Sequence, residues 1–236
     1  MQDRESRFEH TRRQFVRALP ALGTAAVLGS APLLAQQKEE EEVSTNEDLM
    51  REHGILKRVL LAYDEIIRHL RSNRDFPPQA VTDGATIIRK FIEEYHEKLE
   101  EEHLFPRFRK AGKLVSLVDT LQKQHQAGRR VTERVLVTAS SLKTQDDRNR
   151  LASDLEVFNR MYAPHEARED TVLFPALHKV VSKHEYDAMG EQFESIERKT
   201  FGGDGFDMAV DQVTELEKQF GIYDISQFTP SLPSAK

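Results

Sequence analysis

The sequence predicts an all-α chain, folded as an antiparallel up-down four-helix bundle with an extra C-terminal helix and tail. Three observations carry that expectation. Apolar residues recur at three- and four-residue intervals over long stretches, the period of a buried helical stripe. Charged residues are abundant at 31% while glycine (11) and proline (9) are scarce, a balance that suits amphipathic helices. The chain also repeats itself. His96-Glu97-Lys98-Leu99-Glu100-Glu101-Glu102-His103-Leu104-Phe105-Pro106 returns, 69 residues on, as His165-Glu166-Ala167-Arg168-Glu169-Asp170-Thr171-Val172-Leu173-Phe174-Pro175. Arg51-Glu52-His53 with Arg58-Val59 returns, 72 residues on, as Lys123-Gln124-His125 with Arg130-Val131. Two helical hairpins of one kind, packed so that inward side chains meet at mid-height, make such a bundle.

The first helix is expected from Thr45 to Ser72. Ser44 and Glu47 have capping-box spacing, Leu49 to Leu70 supply the stripe, and Phe76-Pro77-Pro78 bars continuation. A second helix is expected over 78–110, with Ile87, Ile88, Phe91, Ile92, Tyr95, Leu99 and Phe105 as its stripe and Gly112 as its stop. A third covers 114–142 and a fourth begins near Asp146. Pro164 lies inside the fourth, directly before His165, and predicts a kink or local bulge there. Ser182 and Glu185 form another capping box, opening a shorter helix to about Lys199. After the break Phe201-Gly202-Gly203-Asp204-Gly205, a last helix over 208–220 leads into a Pro/Ser tail expected to be loosely packed.

The domain boundaries that follow are 1–35 for an address segment, 36–44 for a charged linker containing Glu39-Glu40-Glu41-Glu42, 45–182 for the bundle, and 183–236 for the C-terminal helix and tail. In the first segment Arg12-Arg13 precedes a mildly apolar run from Ala18 to Ala35, which resembles a twin-arginine export signal. Pro20, Gly23, Gly29 and Pro32 make that run a poor membrane-spanning helix. The resemblance implies export of a folded, cofactor-loaded protein to the periplasm or beyond, with the twin-arginine machinery as a partner. A signal left uncleaved would anchor the protein to the membrane. Losing 1–35 would remove five arginines (Arg4, Arg7, Arg12, Arg13, Arg17) and three acids (Asp3, Glu5, Glu9), moving the net charge from −6 to −8. A net-acidic chain without a basic stripe argues against nucleic acid as a partner. There is no cysteine, so disulfides, thiolate sites, iron–sulfur clusters and thiol nucleophiles are excluded.

The repeated motif carries the chemistry. In each copy a histidine and a glutamate lie four residues apart, so a helix projects both from one face. Neutral imidazole with carboxylate is a metal-ligand pair suited to iron, manganese or zinc. The candidate ligands are His53, His96, Glu100, His125, His165 and Glu169. Four imidazoles and two carboxylates exceed the needs of one tetrahedral zinc. They suit two ions, each held by two histidines and bridged by the glutamates, with positions left open for a small ligand.

H…HxxxE…H…HxxxE, with Leu-Phe-Pro after each paired motif, resembles the hemerythrin-like (HHE cation-binding) domain from about Asp48 to Lys179. The resemblance implies a non-haem di-iron centre inside the bundle, with manganese or zinc as alternatives, and dioxygen, peroxide or nitric oxide as the small ligand. Oxygen-carrying hemerythrins add a fifth histidine; here Leu121 and Arg129 stand where it would be expected. That departure points away from reversible oxygen carriage and toward an oxidoreductase acting on peroxide or nitric oxide. Peroxide dismutation is the simplest candidate because it needs no external reductant; any redox partner is unknown. The alternative is a non-enzymatic oxygen or nitric-oxide sensor, or an iron-handling protein. Asp170 matches the spacing of the carriers' aspartate and competes with Glu169 as a bridge; the internal symmetry favours Glu169. A ferritin-like site needs Glu-x-x-His twice. Glu93 supplies one, but Tyr162 fills the matching place before His165.

The remaining candidates read blandly. His103 lies two turns past His96, where the repeat has Val172, and reads as structural. His69, His178 and His184 read as surface residues, Tyr95 and Tyr162 as core aromatics close to the ligands, and the Leu-Phe-Pro triplets as packing.

Overall fold

A computed structural model describes residues 43–231. The expected signal segment 1–35, the linker as far as residue 42 and the end of the tail, 232–236, lie outside the described residues. Among the described residues every regular element is helical, and the helices belong to one unit that begins at Ser44.

Helix α1 (Thr45–Arg71) starts where the Ser44 side chain accepts the Glu47 N–H, and buries Leu49, Val59, Ile66 and Leu70 completely or nearly so. Helix α2 is one rod over 79–111, but its winding changes along the way. α-Helical Gln79–Ile87 opens into a π-helical stretch, Ile88–His96, then Glu97–Leu99, a second π-helical stretch Glu100–Leu104, and Phe105–Ala111. Gly112, at φ 63°, ends it in the left-handed conformation that glycine adopts without penalty.

Helix α3 (Val115–Ser140) follows Leu114, a non-glycine residue at φ 50°. Helix α4, over 145–177, comprises Gln145–Arg168, a π-helical turn Glu169–Leu173, and Phe174–Leu177. It begins at a capping box between Thr144 and Asp147 that the sequence reading missed by starting at Asp146. The α-helix runs through Pro164, and the bulge opens one turn later than expected, at Glu169. Helix α5 (Lys183–Phe201) has the expected Ser182/Glu185 capping box, and α6 (Gly205–Gln219) follows.

Helix α1 packs on α2 and α4, and α3 packs on the same two. Their shared core includes Tyr63, Ile88, Phe105, Phe108, Val118, Leu151, Leu155, Phe158 and Phe174. Helices α5 and α6 cover the flank of α1, and α6 also touches α2. Arg58 of α1 forms a two-pronged pair with Glu217 of α6 at 2.9 and 2.6 Å and reaches Thr214. The C-terminal region is therefore docked through 219, and only the residues beyond it are largely exposed.

Candidate metal centre

The π-helical turns Glu100–Leu104 and Glu169–Leu173 share a cause. In an α-helix each N–H reaches back four residues; here the Phe105 N–H bonds the Glu100 carbonyl and the Phe174 N–H the Glu169 carbonyl, five back. The next residue in each case is proline, Pro106 or Pro175. It has no N–H to give, and its ring crowds the carbonyl four residues earlier. Widening the preceding turn relieves that crowding, and such turns recur at functional sites. Each glutamate of the repeated motif opens one of them.

The winding brings all six sequence-predicted residues to one buried place. His53 Nε2 lies 3.0 Å from His96 Nε2, and His125 Nε2 lies 3.2 Å from His165 Nε2. The glutamates lie between these pairs. Glu169 Oε2 is 3.0 Å from His165 Nε2 and 3.4 Å from His53 Nε2. Glu100 Oε2 is 3.4 Å from His125 Nε2 and 3.8 Å from His96 Nε2. His53, His96 and Glu100 form one group whose donor atoms could share an ion, and His125, His165 and Glu169 form another.

The outward nitrogen of every histidine has its own partner. His53 Nδ1 is 2.7 Å from Asp170 Oδ1, His96 Nδ1 2.7 Å from Glu52 Oε2, His125 Nδ1 3.2 Å from Glu101 Oε1, and His165 Nδ1 2.9 Å from Gln124 Oε1. Each partner is an acceptor, so Nδ1 carries a proton and donates, and Nε2 faces inward, where its lone pair serves a cation once any proton there is lost. The Asp170 carboxylate thus sits at the outer edge of His53, while Glu169 faces the interior.

Metal ions fit this donor set. Two inward nitrogens 3.0 Å apart, and two more 3.2 Å apart, would repel as paired lone pairs unless a proton or a metal ion lies between them. Neither oxygen of Glu100 or Glu169 has a hydrogen-bond partner, and both residues are fully buried. Buried carboxylates in that condition are heavily penalised unless a cation or proton compensates them.

The protonation pattern agrees. Burial lowers His53, but Asp170 and Glu169 outweigh it and push the imidazole up to about 10. Burial, with His53 alongside, holds His96 well below the ordinary histidine range. Burial and the neighbouring Glu169 and Glu97 carboxylates drive Glu100 well above the ordinary carboxylate range. Glu169 lies well below it, because His165 and His53 overcome the effect of burial. The metal-free cluster thus favours the protonated forms of His53 and Glu100, whose protons a cation would displace.

Sequence reasoning passed over several groups that shape the site. Phe174 stacks on His53 at 5.3 Å and 23°, and Phe105 on His125 at 5.5 Å and 21°. The Leu-Phe-Pro triplets therefore wall the ligands as well as pack. Arg129 forms ion pairs with Glu97 (2.7 Å) and Glu101 (2.9 Å), and the Tyr162 hydroxyl donates to Glu97 at 2.6 Å. Glu97, Glu101 and His125 also cluster closely enough to hold an ion, but the Arg129 guanidinium already serves as the cation for both carboxylates. Matched offsets were the available signal: Glu52 and Gln124 precede the paired histidines 72 residues apart, and Glu101 and Asp170 follow the paired glutamates 69 apart. His103 stays outside the cluster, half-buried against Phe193. His178 and His184 are exposed, and His69 is partly buried.

The family model of the hemerythrin HHE cation-binding domain matches residues 44–177. The chain is 50% identical over 196 residues to an uncharacterized protein of Mycobacterium bovis, covering 82% of this chain and 77% of that one. Uncharacterized proteins of two Mycobacterium tuberculosis strains match to the same extent. No solved structure matches the chain.

Proposed function

The chain belongs to the hemerythrin HHE cation-binding family, and from that premise we propose that it is an exported non-haem di-iron protein that binds or reduces a small oxidant. His53, His96, Glu100, His125, His165 and Glu169 hold the two ions in an antiparallel up-down four-helix bundle. One observation supports this above the rest: each inward glutamate lies within 3.8 Å of one histidine from either pair, which is where a bridge between two ions would be.

Bound iron supplies open coordination positions and redox electrons for dioxygen, peroxide or nitric oxide. The chain supplies the rest. Asp170, Glu52, Glu101 and Gln124 fix the tautomer and tilt of the four imidazoles. Phe105, Phe174, Leu104 and Leu173, all fully buried, help keep bulk water from the cluster. As an enzyme the protein would be an oxidoreductase acting on peroxide or nitric oxide.

The test is metal content and the visible spectrum of the purified protein, with oxygen evolution on adding peroxide. Two irons per chain, near-ultraviolet oxo-bridge bands and oxygen release are expected. No metal, or a single zinc, would remove the di-iron reading; two irons without turnover would leave the binder reading, a sensor or iron-handling protein. Export rests on Arg12-Arg13 and the apolar run behind it. Among the described residues no helix is long and apolar enough to cross a membrane. Fractionation of cells carrying Arg12→Lys with Arg13→Lys should show the protein retained inside; unchanged export would defeat that part.

A further inference from the structure

Resting on the di-iron reading, we propose that the two metal positions are unequal: the His53/His96 pair fills first and tightly, and the His125/His165 pair is the weaker, exchangeable position. The inward faces do not separate them, since both glutamates are shared between the pairs. The outward faces do. His96 rests on the Glu52 carboxylate, which is fully buried, and His53 on the Asp170 carboxylate. At the matching place behind His165 stands Gln124, a neutral amide. His125 does have a carboxylate, Glu101, but Arg129 at 2.9 Å and Lys98 at 2.9 Å draw on its charge.

A carboxylate accepting from Nδ1–H pushes electron density through the ring and makes Nε2 a stronger donor. An amide carbonyl does so less, and so does a carboxylate already paired to a guanidinium. The first pair therefore has a carboxylate behind each of its two imidazoles. The second offers one imidazole on a neutral partner and one on a compensated charge. Both effects favour a cation in the first position.

The experiment is an anaerobic ferrous titration of the full chain against a chromogenic chelator, which reads occupancy without turnover. Two one-equivalent steps at least about tenfold apart are expected, the scale on which such outer partners change affinity. Gln124→Glu should tighten the weaker step so that the two merge. Glu52→Gln, which changes the other pair and no volume, should weaken the tighter step and also close the gap. Two indistinguishable steps in the unaltered chain would overturn the inference while leaving the di-iron reading intact. So would a weaker step unmoved in a Gln124→Glu protein whose helical circular dichroism is unchanged. Uptake of fewer than two ions would overturn the di-iron reading and this inference with it.

Discussion

Behind His53 and His96 stand Asp170, Glu52 and a Lys57–Glu166 pair at 3.2 Å; behind His125 and His165 stand Glu101, Gln124 and an Arg129–Glu97 pair at 2.7 Å. Every member of the first group answers one in the second at the 69- or 72-residue offset. The inward residues of the two halves are the same in kind, whereas the outward ones differ in charge, length and exposure. The Lys57 side chain is 51% exposed and that of Arg129 only 23%. Glycine stands at position 128 where the first half has Leu56, and a Cβ there would meet the Tyr162 hydroxyl at 2.0 Å. That gap is what lets Tyr162 reach Glu97 on one side only. The repeat thus fixes a common frame for metal and lets the surroundings set two different environments.

If the frame is common, breaking it on either side should cost the same. Phe105→Ala and Phe174→Ala each remove a fully buried ring stacked on a ligand imidazole. Each should destabilise the metal-free protein by about 3–5 kcal/mol in urea unfolding. A large inequality would mean that one half alone organises the fold. Loading should be pH-dependent, because His53, at about 10, keeps its proton at neutral pH in the metal-free site, and burial beside Glu169 and Glu97 pushes Glu100 in the same direction. A proton expelled from His53 makes affinity rise roughly tenfold per pH unit, so iron affinity should climb at least about tenfold between pH 6 and 7. Chelator competition across that range checks it, and a flat profile would contradict the protonation pattern.

Much of the frame was legible in the sequence, because register is a one-dimensional property. His53, His96, Glu100, His125, His165 and Glu169 converge because histidine-to-glutamate spacing and two near-equal offsets place them on facing stripes. The helix starts at Ser44 and Ser182 and the stop at Gly112 were readable for the same local reason. What lay hidden depends on contacts between helices. Nothing along the chain says that Glu101 bends toward His125 while Asp170, at the matching place, bends toward His53. Pro164 drew the expected bulge because it adjoins a ligand, yet the widened turn precedes Pro175, as its counterpart precedes Pro106. Arg129 was visible only as the place of an absent histidine; its role as the cation of a buried carboxylate pair needed three dimensions.

The outward differences should show as unequal costs. Arg129→Met would leave Glu97 and Glu101 short of their shared cation and should cost about 2 kcal/mol, below the range for fully buried pairs because Arg129 is partly exposed. Lys57→Met, at an exposed lysine, should cost under about 1 kcal/mol. Equal values would erase the distinction between the halves. A pH-dependent effect concerns Glu93, which occupies the place that Tyr162 fills in the second half. Burial above all, with the Glu97 carboxylate nearby, holds the Glu93 carboxyl up at about 7, against the pull of Thr132 and Arg89. A carboxyl raised in the folded state favours folding while protonated. That contribution is complete below the ordinary value near 4.5 and is lost as pH rises through about 7. Above pH 7 the ionised group is a burden that glutamine would not carry, apart from the Arg89 contact at 3.3 Å that the change forfeits. Glu93→Gln should therefore stabilise the metal-free protein by roughly 1–2 kcal/mol at pH 8 and hardly at all at pH 5, read by urea unfolding at both. A gain of the same size at pH 5, or a loss at pH 8, would mean that the Arg89 pair outweighs burial at this position.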